Sequence, residues 1–298
     1  MEYAIAGKSG LNISRISLGC MSLPVDEKEA GSIILRCYEA GVNYFDTADI
    51  YNDGQNEVIV GKILKPIRKK VFIASKAGNV RRPDGGLDWN PSAKHILKCI
   101  DESLKRLGTD YIDLYQLHGG TINDNFEETV GAFEKLKQEG KILHYGISSI
   151  RPNVISRFIK NSAIVSDMIQ FSLLDRRPEE QCLNWLQEAN LGVFVRGALA
   201  QGLLVNKPAK PYLEHSAESV RKASDAVSRL AVEGRSKTHV ALRYVLQHPA
   251  VTSAVVGIRT HEQLEDALKV FDTPALSTHE IDLLKREVPA FIYREHRI

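Results

Sequence analysis

The feature that most constrains this chain is an eightfold recurrence. Apolar, β-prone runs alternate with stretches of helical periodicity along the whole of its 298 residues. The runs are ISLGCM (16–21), VNYFDTAD (42–49), VFIASKAG (71–78), YIDLYQLH (111–118), LHYGIS (143–148), DMIQFS (167–172), GVFVRG (192–197) and SAVVGI (253–258). They are continuously apolar rather than alternating, the pattern of parallel strands covered on both faces. Helix start signals lie between them. Asp26 and Glu29 suit a capping box before a helix over 27–40. Asn90-Pro91 offers a cap and a first-turn proline before a helix over 91–107. Thr238 is placed to cap HVALRYVLQH, which Pro249 follows. Strand–helix alternation implies βαβ units and a parallel sheet. Eight units favour a closed (β/α)8 TIM barrel over an open doubly wound sheet. No Pro/Ser/Gly linker interrupts the chain, so residues 1–298 read as one domain. The opening segment, with GKSG at its turn, is expected to be a β-hairpin closing the barrel floor. Residues 198–237 are long for a connection and are expected to carry function or an extra helix.

Several function classes are disfavoured. A formal charge of +2 gives no reason to expect a nucleic-acid or acidic-membrane partner. No run approaches the roughly 18 apolar residues of a membrane span, and MEYAIAGKSGLNISR lacks the apolar stretch of a signal peptide. Cys20, Cys37, Cys99 and Cys182 form no C-x-x-C pair, and a reducing, cytoplasmic location with free thiols is expected. Gly7-Lys8-Ser9 lacks the earlier glycine of a phosphate loop, since Glu2 holds that place. No G-x-G-x-x-G follows an early strand, no H-E-x-x-H motif signals a metal, and Asn12-Ile13-Ser14 reads as a chance glycosylation match.

In a (β/α)8 barrel the reactive groups sit at the C-terminal ends of the strands. Four polar residues close such runs here: Asp46 ends NYFD, Tyr51 lies just beyond it, Lys76 ends FIASK and His118 ends LYQLH. Singly, each has an ordinary structural explanation; together they share one barrel mouth. A tyrosine with a pKa of about 10 is a poor acid at neutral pH, and a nearby ammonium is expected to lower that value. Asp46 would hold Lys76 charged and aimed at Tyr51, His118 would orient a carbonyl oxygen, and Tyr51 would donate a proton to it. Such a site still needs a hydride-carrying cofactor.

These residues resemble the aldo-keto reductase family, and the resemblance runs over nearly the whole chain. It is carried by SGLNISRISLGCM, DTADIYNDGQNEVIVGKIL, FIASK, YIDLYQLH, GISS, QFSLLDR, ALAQGLL and VVGIRTHEQLEDAL in that order. It implies catalytic roles for Asp46, Tyr51, Lys76 and His118, a small-molecule carbonyl substrate, and an extended NADP(H) across the mouth. Implied cofactor contacts are Cys20 and Met21 after the first strand, and Ser148, Ser149 and Gln170 at the nicotinamide amide. Phe171 is implied to stack on the nicotinamide. Arg196, Gly197, Leu199 and Gly202 would lie along the pyrophosphate, the glycines permitting close approach. Gly257, Arg259, Thr260, Gln263 and Asp266 would sit around the adenosine phosphate at a helix start.

The chain departs from the family pattern in four places. Met168 stands where a glutamine is usual, and Ser148-Ser149 replaces a serine-asparagine pair. Asp266-Ala267 replaces a glutamate-asparagine pair, and Gly119-Gly120 follows the histidine. These bear on cofactor affinity rather than on the proton-transfer set. A competing expectation is a cofactor-binding regulatory subunit with little turnover; a metal-dependent barrel hydrolase lacks a ligand cluster. Substrate, direction and oligomeric state stay open.

Overall fold

The computed structural model describes residues 1–232 and 234–298. The elements run in chain order as β1 (Tyr3–Ile5), β2 (Asn12–Ser14), β3 (Ile16–Gly19), α1 (Glu27–Glu39), β4 (Tyr44–Asp46), α2 (Gln55–Leu64) and β5 (Phe72–Ala77). Next come β6 (Asn79–Arg81), β7 (Leu87–Trp89), α3 (Ala93–Leu107), β8 (Ile112–Leu117), α4 (Phe126–Gln138), β9 (Ile142–Ile147) and α5 (Pro152–Asn161). The chain ends with β10 (Ser166–Gln170), α6 (Cys182–Glu188), β11 (Gly192–Arg196), α7 (Ala217–Leu230), α8 (Lys237–Leu246), β12 (Val251–Gly257), α9 (His261–Leu268) and α10 (Thr278–Glu287).

Strands β3, β4, β5, β8, β9, β10, β11 and β12 close into one barrel, neighbour to neighbour and parallel throughout. All eight expected runs supply a barrel strand. Their uniform hydrophobicity has a simple cause: one set of side chains fills the barrel and the other meets the helices. Tyr44, Ala74, Leu114, Met168, Phe194 and Val255 form the inner cluster. Phe45, Ile73, Tyr115 and Ile169 belong to the larger outer one. The antiparallel pair β1–β2 is the expected floor hairpin. Its Ala6 and Ile13 join the inner cluster and seal it from below.

Two helix starts differ from expectation. Helix α3 is capped by Ser92, whose side chain accepts from the His95 N–H, while Asn90 accepts from Ser92 N. Helix α8 is capped by Ser236 in a reciprocal box with His239, which leaves Thr238 buried inside the helix. In α3 the extended Ser92 directly precedes the first helical residue, two positions past Asn90, and in α8 the extended Ser236 does so two positions ahead of Thr238, which is already helical. Asp26 does cap α1 by accepting from Glu29 N. The long stretch 198–237 holds the extra helix α7. Among the described residues no helix is long and apolar enough to cross a membrane, and the four cysteines are free and buried.

Candidate active site

Strand alternation decides what the barrel mouth contains. In β4, Tyr44 and Asp46 point inward around outward Phe45; in β5, Ala74 and Lys76 point inward around Ser75. Asp46 and Lys76 are thereby brought together at the top of the barrel. Lys76 Nζ donates to Asp46 Oδ2 at 2.6 Å and to the Thr47 carbonyl at 2.7 Å. An ammonium has three protons, and the third is free to face Tyr51, whose ring centroid lies 5.2 Å from Nζ. Burial alone would discharge Lys76, but Asp46 and Tyr51 hold its pKa above the ordinary value.

Tyr51 differs from the expectation of a lowered pKa. Burial raises it, and although Lys76 pulls in the opposite direction, the net shift is upward. The phenol therefore holds its proton at neutral pH. His118 follows β8 immediately, its backbone N–H bonded to the Ala77 carbonyl at 2.7 Å. Burial, with the cations Lys76 and Arg196 beside it, pushes the imidazole down to about 3. It is neutral near pH 7, stands edge-on to Tyr51 with centroids 6.0 Å apart, and has a buried Nδ1 without a partner.

The Tyr51 turn is built from a run of left-handed residues: Asn52 (φ 48°), Asp53 (φ 52°) and Gly54 (φ 85°). Non-glycine residues reach that region at a cost and persist there only when the surroundings hold them. The holding residues were missed from sequence. Asn56 accepts from Thr47 Oγ1 at 2.7 Å and donates to the Cys20 carbonyl at 2.8 Å. Glu57, fully buried, accepts from Ser75 Oγ at 2.5 Å and from Arg106 Nε at 2.7 Å. Arg81 of β6 pairs with Asp53 at 2.7 Å and donates to the Ile50 carbonyl. The signal available in the sequence was the polar pair Asn56-Glu57 directly ahead of the apolar run Val58-Ile59-Val60.

The stretch 79–90 is the hairpin β6–β7. Trp89 is fixed there by its Nε1–H to Asp124 Oδ1 at 2.9 Å. A Cβ added at Gly119 would come within 3.1 Å of the indole. One added at Gly78 would come within 2.5 Å, so the bare backbone at these two glycines leaves the room that the ring occupies.

Across the mouth, Gln170 and Arg196 are register neighbours on β10 and β11. Arg196 Nη1 donates to Gln170 Oε1 at 2.6 Å, and Gln170 Nε2 donates to Asp175 Oδ2 at 2.8 Å. Asp175 is in turn gripped by Arg177 at 2.7 and 2.8 Å. Phe171 requires a correction. It has no solvent exposure and packs in the outer core between Tyr244 and His248. One residue past inward Gln170, it falls on the helix side of the barrel and cannot stack on a group in the mouth; Arg196 holds the position beside Gln170.

The remaining predicted contacts separate by exposure. Met21, Arg196, Gly197, Gly257, Arg259, Thr260 and Gln263 are exposed, while Ser148, Gln170, Leu199, Gly202 and Asp266 are partly so. Cys20 is buried, and its carbonyl accepts from Asn56. Ser149 is also buried; its N–H donates to Asp167 and its hydroxyl accepts from Arg151 N. It shapes the strand end from within. Gly197 (φ 73°) opens a loop that continues through Ala200 (φ 46°), Gln201 (φ 58°) and Gly202 (φ 90°). Thr260 caps α9 by accepting from Gln263 N, and Gln263 Oε1 accepts from Arg259 N. Asp266 contacts His239 through both its carbonyl and its carboxylate.

Strand-end polar groups over a packed parallel barrel, with an acid–lysine pair under a tyrosine, place the chain among barrel oxidoreductases. Residues 15–287 match the model of the Aldo/keto reductase family, and the chain belongs to that family. It is 47% identical over 302 residues to the uncharacterized oxidoreductase YqkF of Bacillus subtilis, covering 98% of each chain. It is 30% identical to the aldo-keto reductase YhdN of the same organism, over 89% of this chain and 87% of that one. Among solved structures, the holo form of aldo-keto reductase AKR11C1 from Bacillus halodurans superposes with a TM-score of 0.93 at 42% identity. Its apo form gives 0.86 at 40%, and both comparisons cover 100% of each chain.

Proposed function

We propose that this oxidoreductase uses NADPH to reduce an aldehyde or ketone to the alcohol, with Tyr51 as proton donor and Lys76, Asp46 and His118 assisting. The observation that carries this reading is the buried Lys76–Asp46 pair set beneath the phenol of Tyr51. When bound, NADPH supplies a hydride to the carbonyl carbon. The chain's own residues handle the oxygen. His118, kept neutral, offers a ring N–H to the carbonyl oxygen without adding a charge to the pocket. Tyr51, kept protonated by burial, gives its proton to that oxygen as negative charge gathers there. Lys76 stabilises the phenolate left behind, and Asp46 keeps Lys76 cationic. Trp89 helps to wall the site from water.

The residues present fit the cofactor. Asp46 Oδ1, His118 Nδ1 and both amide atoms of Gln116 are buried without partners in the barrel's upper layers, as polar groups awaiting a ligand would be. The left-handed loop 197–202 exposes backbone that suits close approach by phosphates. Arg259, ahead of the capped start of α9, suits a 2′-phosphate. The four free thiols suit a reducing compartment such as the cytoplasm.

The test is Tyr51→Phe, followed by NADPH oxidation over a panel of aldehydes, ketones, dicarbonyls and quinones. Turnover is expected to fall by about 10²–10⁴-fold, with NADPH binding by fluorescence quenching unchanged. Full turnover in the variant would remove Tyr51 as the donor.

A further inference from the structure

Outside the barrel mouth, three metal-ligating side chains of different kinds converge. His95 and Cys99 stand four residues apart on α3, the spacing that places two side chains on one helix face. Cys99 Sγ lies 3.3 Å from His95 Nε2. Asp49 reaches the same place from the turn between β4 and Tyr51. One donor atom from each of the three lies within 4.8 Å of the other two. Cys99 and His95 are bonded to each other, and Asp49 Oδ1 is buried without a hydrogen-bond partner, one acceptor left over in the cluster. Around a tetrahedral ion with bonds of about 2.0–2.3 Å, donors stand roughly 3.3–3.8 Å apart. A contraction of this cluster and a turn of the His95 ring reach that geometry, since Cys99 Sγ lies 3.3 Å from Nε2 and 3.7 Å from Nδ1, over the ring.

We propose that Asp49, His95 and Cys99 form a binding site for one Zn²⁺ ion, with a water molecule as fourth ligand. Sulfur and imidazole donors favour a borderline-soft ion, whereas Mg²⁺ and Ca²⁺ take oxygen donors. Binding converts the Cys99 thiol to a thiolate and releases its proton to solvent. The ion would tie α3 to the segment that leads into Tyr51, whose residue Asp49 also donates its backbone N–H to the Lys76 carbonyl. The inference stands apart from the proposed reaction, since none of the three residues belongs to the proton-transfer set.

The probe is Co²⁺, titrated into the full chain under reducing conditions and followed by absorption. A thiolate–Co²⁺ charge-transfer band and tetrahedral visible bands are expected to saturate at one equivalent and to be displaced by Zn²⁺. Cys99→Ser should lose the charge-transfer band. His95→Ala and Asp49→Asn should each weaken Co²⁺ binding by at least about tenfold. Far-UV circular dichroism of the metal-free variants checks that they fold. As a second readout, the wild-type melting temperature should rise with Zn²⁺ concentration, as for any ligand of the native state, and that of His95→Ala should not. Absence of the band in wild type, its survival in Cys99→Ser, or a melting temperature indifferent to Zn²⁺ would overturn the site.

Discussion

Lys76 Nζ is bonded to Asp46 Oδ2 at 2.6 Å with both side chains almost entirely out of solvent. An ion pair buried this deeply is stabilising chiefly in the sense that neither partner tolerates being left alone. Asp46→Asn leaves an unmatched ammonium, and Lys76→Met leaves an unmatched carboxylate. Each single variant is expected to lose about 3–5 kcal/mol. The double variant Asp46→Asn/Lys76→Met should lose less than the sum, with a coupling of about 0.5–3 kcal/mol. Urea denaturation of the four proteins measures the cycle, and strict additivity would show that the two charges do not depend on each other.

His118 makes folding sensitive to acid. Its pKa is lowered from the ordinary 6.5 to about 3 by burial and by Lys76 and Arg196. Between those values the unfolded chain binds a proton that the folded chain refuses, so stability rises with pH across that window. The contribution is fully present above about pH 6.5 and is lost as pH falls toward 3. His118→Asn should flatten part of this dependence relative to wild type in denaturation curves taken between pH 4 and 7, a range chosen as roughly the accessible part of the window. Parallel curves for the two proteins would mean that His118 protonates freely in the folded state.

Arg259 is exposed at the start of α9, and among the described residues its guanidinium has no salt-bridge partner. A charge-assisted bond to a phosphate is worth about 1.5–3 kcal/mol. Arg259→Ala should therefore weaken NADPH by about ten- to a hundredfold and leave NADH nearly unaffected. Fluorescence titration with both cofactors reads the difference. Equal losses for the two would assign Arg259 to general charge attraction instead of the 2′-phosphate.

The barrel was legible because its hydrophobic code is redundant: eight runs each had to be buried on both faces, and a one-residue error in any of them did not disturb the count. The same alternation put Asp46, Lys76 and His118 at strand ends, where their positions follow from register. Phe171 was misplaced because its role was carried over from the family pattern; strand alternation, with Gln170 turned inward, puts the next residue on the helix side. Ser92 and Ser236 took the capping roles expected of Asn90 and Thr238 because backbone conformation, set by tertiary contacts, chooses among nearby competent caps. The direction of the Tyr51 shift depends on how completely the phenol is buried, which no spacing rule reports. His95 and Cys99 do carry a signal, an i, i+4 pair of ligating residues, but Asp49 joins them through the fold alone.

Gly54 closes the left-handed run behind Tyr51, and its role can be separated from that of its neighbours. At φ 85° a side chain is strained, by about 1–2 kcal/mol for an L-residue. A Cβ there would also stand 2.7 Å from Arg106 Cδ. Arg106 can yield only by moving its guanidinium, which is bonded to Glu57 at 2.7 Å, and Glu57 is a fully buried carboxylate whose other partner is Ser75. Gly54→Ala thus combines backbone strain with a weakened buried ion pair, and a loss of at least about 2 kcal/mol is expected. Because α2 and the Tyr51 turn share this joint, turnover should fall, while NADPH binding, proposed to draw on loop 197–202 and Arg259, is expected to stay near wild type. Asn52→Gly makes the control: it relieves φ 48° at a residue of the same turn, should be neutral or slightly stabilising, and should leave Arg106 where it is. If Gly54→Ala proves as stable and as active as Asn52→Gly, the turn is held by something other than the Arg106–Glu57 pair.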